Sequence, residues 1–148
     1  MSLSRLLRTA LLLLPAALPA QARPGEVVRT LACPGPCPTG LAAAGERLWV
    51  VDRFTDRIYE LDRTTGEVVR EFPAPSCQPY GLARDGEGRL WVGSDIPESG
   101  ADRLHRLDPA TGEVTAQVPL PLDHRRSLAW QDGALWAGTR KGELVRID

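Results

Sequence analysis

Chemistry in this 148-residue chain could start at Asp123-His124-Arg125-Arg126. A histidine changes charge near neutral pH and can serve as general acid or base, and Arg125 or Arg126 beside it could hold an anion. One histidine flanked by two arginines is not a nucleophile–base pair, however, and no serine or cysteine has an evident base, so no residue is assigned a catalytic role. Asp52, Asp95 and Glu98 could supply oxygen ligands to a hard cation, or could be ordinary surface charge. Arg53, Phe54 and Tyr80 complete the set of polar and aromatic residues that could face a ligand. His105 sits between Leu104 and Leu107 in an alternating segment, where a structural role is expected.

Three cysteines offer a second kind of chemistry. Cys33 and Cys37 flank Pro34-Gly35-Pro36, a turn that could bring their Cα atoms within the roughly 7 Å a disulfide needs. Pairing of either with Cys77 is the alternative. The chain has only two histidines, His105 and His124, too few to complete a four-ligand site with these thiols, so no metal is expected.

The first 22 residues suggest where this chemistry takes place. Arg5 and Arg8 precede a short apolar run, Thr9 to Leu18, interrupted by Pro15 and followed by small residues at Ala20 and Ala22. That order of basic, apolar and small residues predicts a signal peptide cleaved after Ala22 and a secreted or periplasmic protein. The run is shorter than the roughly 20 residues of a membrane-spanning helix, so no stable span is expected. The segment holds two of the 18 basic residues and none of the 19 acidic ones, so its removal makes the net charge of −1 more negative by two. Without a basic run, nucleic acid is not an expected partner. The 43% hydrophobic and 25% charged composition is that of a folded globular chain.

What must position these residues is a repeat. Gly40-Leu41-Ala42, Gly81-Leu82-Ala83 and Ser127-Leu128-Ala129 each precede, by nine or ten residues, Leu48-Trp49-Val50, Leu90-Trp91-Val92 and Leu135-Trp136-Ala137. Then come Ile58-Tyr59-Glu60-Leu61-Asp62, Leu104-His105-Arg106-Leu107-Asp108 and Leu144-Val145-Arg146-Ile147-Asp148, alternating as half-buried strands do. Thr65-Gly66-Glu67-Val68 and Thr111-Gly112-Glu113-Val114 turn the chain into a further strand, with Asp62 and Asp108 as turn acceptors. Gly45, Asp85-Gly86 and Asp132-Gly133 suit the hairpins between the first two strands. Four short antiparallel strands recurring every 40 to 45 residues predict an all-β chain of β-propeller blades. Ala42, Ala43 and Ala83 are expected on the innermost strand, where blades converge, and Trp49, Trp91 and Trp136 in the gap between sheets. Binding loops are then expected at one end of the blades, including 33–39, 52–56, 76–80, 94–102, 119–126 and 139–141.

Gly40-Leu41-Ala42 to Leu48-Trp49-Val50-Val51-Asp52, with Ile58 to Asp62 and Thr65-Gly66-Glu67-Val68, resembles bacterial propellers that include NHL-repeat and YVTN-type proteins, virginiamycin B lyase and glutaminyl cyclotransferase-like proteins. The resemblance covers residues 24–148 and implies blades. The Thr-Gly-Glu-Val phrase also resembles part of a pyrroloquinoline-quinone repeat, but Glu71-Phe72 and Gln117-Val118 stand where that repeat has tryptophan. No cofactor is therefore expected.

Pro24-Gly25-Glu26-Val27-Val28-Arg29-Thr30-Leu31 matches the outer-strand phrase Gly66 to Phe72, while the chain stops after a third strand at Ile147-Asp148. An N-terminal outer strand completing the last blade is the expectation, giving twelve strands or about three blades. A ring needs more, so two readings stand: a partial propeller from a longer protein, or half of a six-bladed ring formed by two chains head to tail. The functional expectation is an extracytoplasmic scaffold binding a small molecule or protein. A hydrolase or lyase of lactonase, lyase or cyclotransferase type is the alternative, and a fragment without independent function a third.

Overall fold

The computed structural model describes residues 23–94, 103–119, 125–139 and 141–148. Residues 1–30 and 31–148 are separate units, and every strand lies in the second. The described residues hold eleven strands and no helix. They are β1 (Pro38–Ala44), β2 (Arg47–Asp52), β3 (Arg57–Asp62), β4 (Val68–Pro73), β5 (Pro79–Arg84), β6 (Leu90–Ser94), β7 (Arg103–Leu107), β8 (Val114–Pro119), β9 (Arg125–Gln131), β10 (Ala134–Thr139) and β11 (Leu144–Ile147).

Within each sheet every strand pairs antiparallel with the next, giving three meanders: β1-β2-β3-β4, β5-β6-β7-β8 and β9-β10-β11. These are the propeller blades expected from the repeat. Their turns follow the chemistry of their residues. Asp132 and Gly133 take positive φ, 50° and 80°, between β9 and β10, the pattern of a two-residue hairpin turn that follows the strand twist. Asp62 Oδ1 accepts the N–H groups of Thr64 and Thr65 at 2.8 and 3.0 Å, and Asp108 Oδ1 accepts that of Ala110 at 2.7 Å. Both carboxylates thus close the turn into the outer strand. Asp85 closes its own turn through the N–H groups of Glu87 and Arg89 and also accepts from Trp91 Nε1 at 2.9 Å.

Strand alternation sends each sheet's side chains to two faces, and the sheets bury them against one another. Trp49, Val51, Ile58 and Phe72 of the first sheet pack with Leu82, Leu90, Val92 and Leu107 of the second. From the other face of the second sheet, Ala83, Trp91, Leu104 and Val118 pack with Leu128, Leu135 and Ile147 of the third. The two interfaces are the same repeat positions used twice. Trp49 is fully in the core, with its ring centroid 6.1 Å from that of Phe72. Trp91 is half-buried against the third sheet, while Trp136 is 39% exposed because no further sheet lies on that side among the described residues.

The innermost strands β1, β5 and β9 pack side by side. The contact depends on glycine more than on the expected alanines. A Cβ on Gly40 would fall 2.5 Å from the backbone nitrogen of Leu82, and one on Gly81 would fall 2.9 Å from that of Leu128. Gly40 and Gly81 each sit at a register shift in their strand pairing, and Gly81 has a φ of +66°. Ala42 and Ala83 are buried as expected, whereas Ala43 points to solvent.

The N-terminal phrase 24–31 forms no strand, and the third sheet has three strands, not four. Leu31 lies against Gly66 beside the first sheet, while the edge needing a fourth strand, β11, belongs to the third.

Candidate functional site

The loop face is built where the turn after β2 meets the loop before β5. Asp52 ends β2 and is completely buried. Its Oδ2 accepts the N–H of Cys37 at 2.5 Å, while Oδ1 accepts the N–H groups of Phe54 and Thr55 at 3.0 and 2.9 Å and the Thr55 hydroxyl at 3.1 Å. Burial alone would raise this carboxyl's pKa. The donors from Thr55, Cys37 and Phe54 outweigh it and hold the group below the ordinary value of 3.8. Gly35 backs onto the carboxylate so closely that a Cβ there would fall 2.3 Å from Asp52 Cγ. One buried charge therefore ties the 35–37 segment to the turn at 52–55.

Two loops are locked together above this anchor. Asp56, at a φ of 51°, accepts the N–H of Gln78 on Oδ1 at 2.7 Å and that of Ala74 on its carbonyl at 2.8 Å. Gln78, itself at a φ of 49°, accepts from Arg53 Nη2 on its amide oxygen at 2.8 Å. The Arg53 guanidinium lies over the Tyr80 ring, 4.8 Å from its centroid, within cation–π range. Strained non-glycine backbone on both sides of one joint is a feature that concentrates at functional sites.

The electrostatic consequence centres on Arg53. It is half-buried, its contacts are an amide oxygen and an aromatic face, and it forms no ion pair among the described residues. Phe54 stands next to it, 71% exposed. The result is a cation held in place by neutral groups, beside a bare aromatic ring, on a rigid pair of loops.

Of the residues singled out in the sequence, Asp52, Arg53, Phe54 and Tyr80 fall in this joint. Asp95, Glu98 and His124 lie outside the described residues, and Arg125 and Arg126 begin β9. His105 is buried in β7 opposite Val92. Cys33, Cys37 and Cys77 stand as thiols in the structure; the Pro-Gly-Pro segment wraps the Asp52 carboxylate, with the Cys37 N–H donating to Asp52 and its carbonyl accepting the Arg53 N–H at 3.0 Å. Sequence reasoning gave no role to Asp56 and Gln78, which join the loops. Asp56 is a type that accepts positive φ, as Asp132 does, but nothing in its identity or that of Gln78 says that the two will meet.

No family model matches the chain, and no curated protein matches it closely enough to be counted a relative. Solved structures do. Virginiamycin B lyase from Staphylococcus aureus superimposes with a TM-score of 0.56 and 18% identity, covering 80% of this chain and 44% of that one. Hydrazine synthase from Kuenenia stuttgartiensis gives 0.54 and 19%, covering 85% and 38%. The WD40 β-propeller domain of Doa1 gives 0.51 and 18%, covering 68% and 32%. This chain thus spans less than half the length of each of them. At such identities the likeness speaks for architecture alone, and it agrees with the three meandering sheets: the chain is built of β-propeller blades.

Proposed function

We propose that this chain is an extracytoplasmic binding propeller whose loop face takes a small organic anion with a flat apolar body. The observation that carries the reading is Arg53, fixed by Gln78 and Tyr80 without a carboxylate partner among the described residues and flanked by exposed Phe54. A preorganised guanidinium gives a charge-assisted, directional contact to a carboxylate or phosphate. The neighbouring aromatic surface adds area that a flat ligand can cover. Export rests on the basic, apolar and small-residue order of the first 22 residues. A hydrolase or lyase centre draws no support from this joint, which holds no nucleophile–base pair.

Thermal-shift titration with 4-hydroxyphenylacetate and phenyl phosphate tests the reading. The chain should be stabilised by at least one probe, and Arg53→Ala should weaken that binding about 10- to 100-fold, the worth of one hydrogen bond to a charged group. Equal binding by the variant, or no binding of either probe, would overturn it. Turnover of a lactone or peptide-amide substrate that is lost in His124→Ala would replace binding with catalysis.

A further inference from the structure

Among the described residues, the first and third sheets each leave one face without a sheet neighbour, and the repeat says what each face is made to meet. On the first sheet the face without a sheet neighbour carries Leu41, Leu48, Val50 and Leu61; Val50 and Leu61 are already buried, and with Leu31, Ala32 and Cys33 of the entering segment these residues line an apolar groove of about 420 Å³. These occupy the same repeat positions as Leu82, Leu90, Val92 and Leu107, the residues with which the second sheet packs on the first. On the third sheet the uncovered face carries Ala129, Trp136 and Leu144. Their counterparts Ala83, Trp91 and Leu104 are the residues with which the second sheet packs on the third. Leu144 is 81% exposed and Leu41 63%, though their counterparts Leu104 and Leu82 are 0% and 2% exposed inside the two internal interfaces.

The outer edge repeats the same relation. Phe72, from the outer strand of the first sheet, lies on Gly112 of the second, where an added Cβ would come within 2.5 Å of its Cγ. Leu31, the counterpart of Phe72 in the repeat, lies on Gly66 of the first sheet, where an added Cβ would be 3.3 Å from its Cδ2. Leu31 therefore occupies the place of an outer-strand residue from a sheet that would precede the first. The sheet whose outer strand is lacking is the third.

We propose that these two faces are the halves of one interface between copies of this chain. The β9–β11 face of one copy docks on the β1–β4 face of the next, and the phrase 24–31 adds to β11 of its partner as a fourth strand. Nothing new is asked of the surfaces, because the same repeat positions already form both internal interfaces. Two copies carry six sheets, within the 4 to 8 blades of closed propellers. A head-to-tail contact that closes after two copies covers both unpartnered sheet faces and pairs the free edge of β11. This goes beyond the proposed ligand site and does not depend on it.

Light scattering after size exclusion, on the chain purified after export, tests the proposal. The mass should be twice that of one chain. Leu144→Glu and Leu41→Glu, each at a site exposed in the single chain and so compatible with its fold, should each weaken the dimer about 100-fold and give monomers. Mixed in equal amounts, the two variants should form a 1:1 dimer, because one contributes an intact first-sheet face and the other an intact third-sheet face. A monomeric wild type, open chains of many copies, a dimer indifferent to both substitutions, or variants that stay monomeric on mixing would overturn the proposal. The first of these results would assign the two faces to further blades of a longer polypeptide.

Discussion

Replacing Asp52 with alanine is expected to lower folding stability by about 3–5 kcal/mol, measured by urea denaturation at neutral pH. The carboxylate is buried and accepts four hydrogen bonds from Cys37, Phe54 and Thr55. Without it those donors lose their acceptor where little water can reach. Asp52→Asn should cost less, since Oδ1 can still accept its three bonds and only the Cys37 N–H is left facing a donor. The pH dependence has a definite sign. Because the folded-state pKa lies below 3.8, the stabilisation is fully present above the unfolded value and is lost as pH falls through the folded one. The gap between wild type and Asp52→Asn should therefore narrow below about pH 4. An unchanged gap down to pH 2 would place the acid-sensitive charge elsewhere.

Gly81→Val should be comparably severe, about 3–5 kcal/mol, for a reason of packing rather than charge. A β-branched residue is strained at a φ of +66°, and its Cβ would stand 2.9 Å from the Leu128 backbone nitrogen. Backbone cannot swing aside as a flexible side chain can, so β5 and β9 would have to separate. Gly45→Ala is the matched control: φ is also positive, at +56°, but an added Cβ meets nothing within 4 Å. That variant should lose only about 1 kcal/mol. If the two substitutions cost the same, the close approach of the innermost strands is not what demands glycine.

The blade pattern was legible because it needs only periodicity. Leu-Trp-Val recurring after Gly-Leu-Ala specifies strand, face and order together, and the two internal interfaces use those positions in the same phase. Turn residues were equally direct, since Asp62 and Asp108 act on N–H groups two or three residues away. What periodicity hides is the difference between an interior repeat and a terminal one. Trp49 and Trp136 are equivalent in sequence, yet one is buried and the other exposed because only one has a neighbouring sheet.

The site was less legible, for a related reason. Arg53, Phe54 and Tyr80 could be placed on the loop face from strand order alone. The role of Asp52 depends on which N–H groups the neighbouring loop turns toward it, and composition does not encode that. Likewise the joint between Asp56 and Gln78 rests on a long-range pairing of two turns that neither residue's type announces.

Chemical-shift mapping on ¹⁵N-labelled protein, titrated separately with 4-hydroxyphenylacetate and phenyl phosphate, tests the functional reading most directly. Perturbed amides should cluster at residues 53–56 and 78–80, with the Arg53 side-chain resonance among them. Saturable shifts confined to another part of the molecule, or no shifts with either probe at millimolar concentration, would contradict the assignment of the Arg53–Tyr80 joint as the binding site.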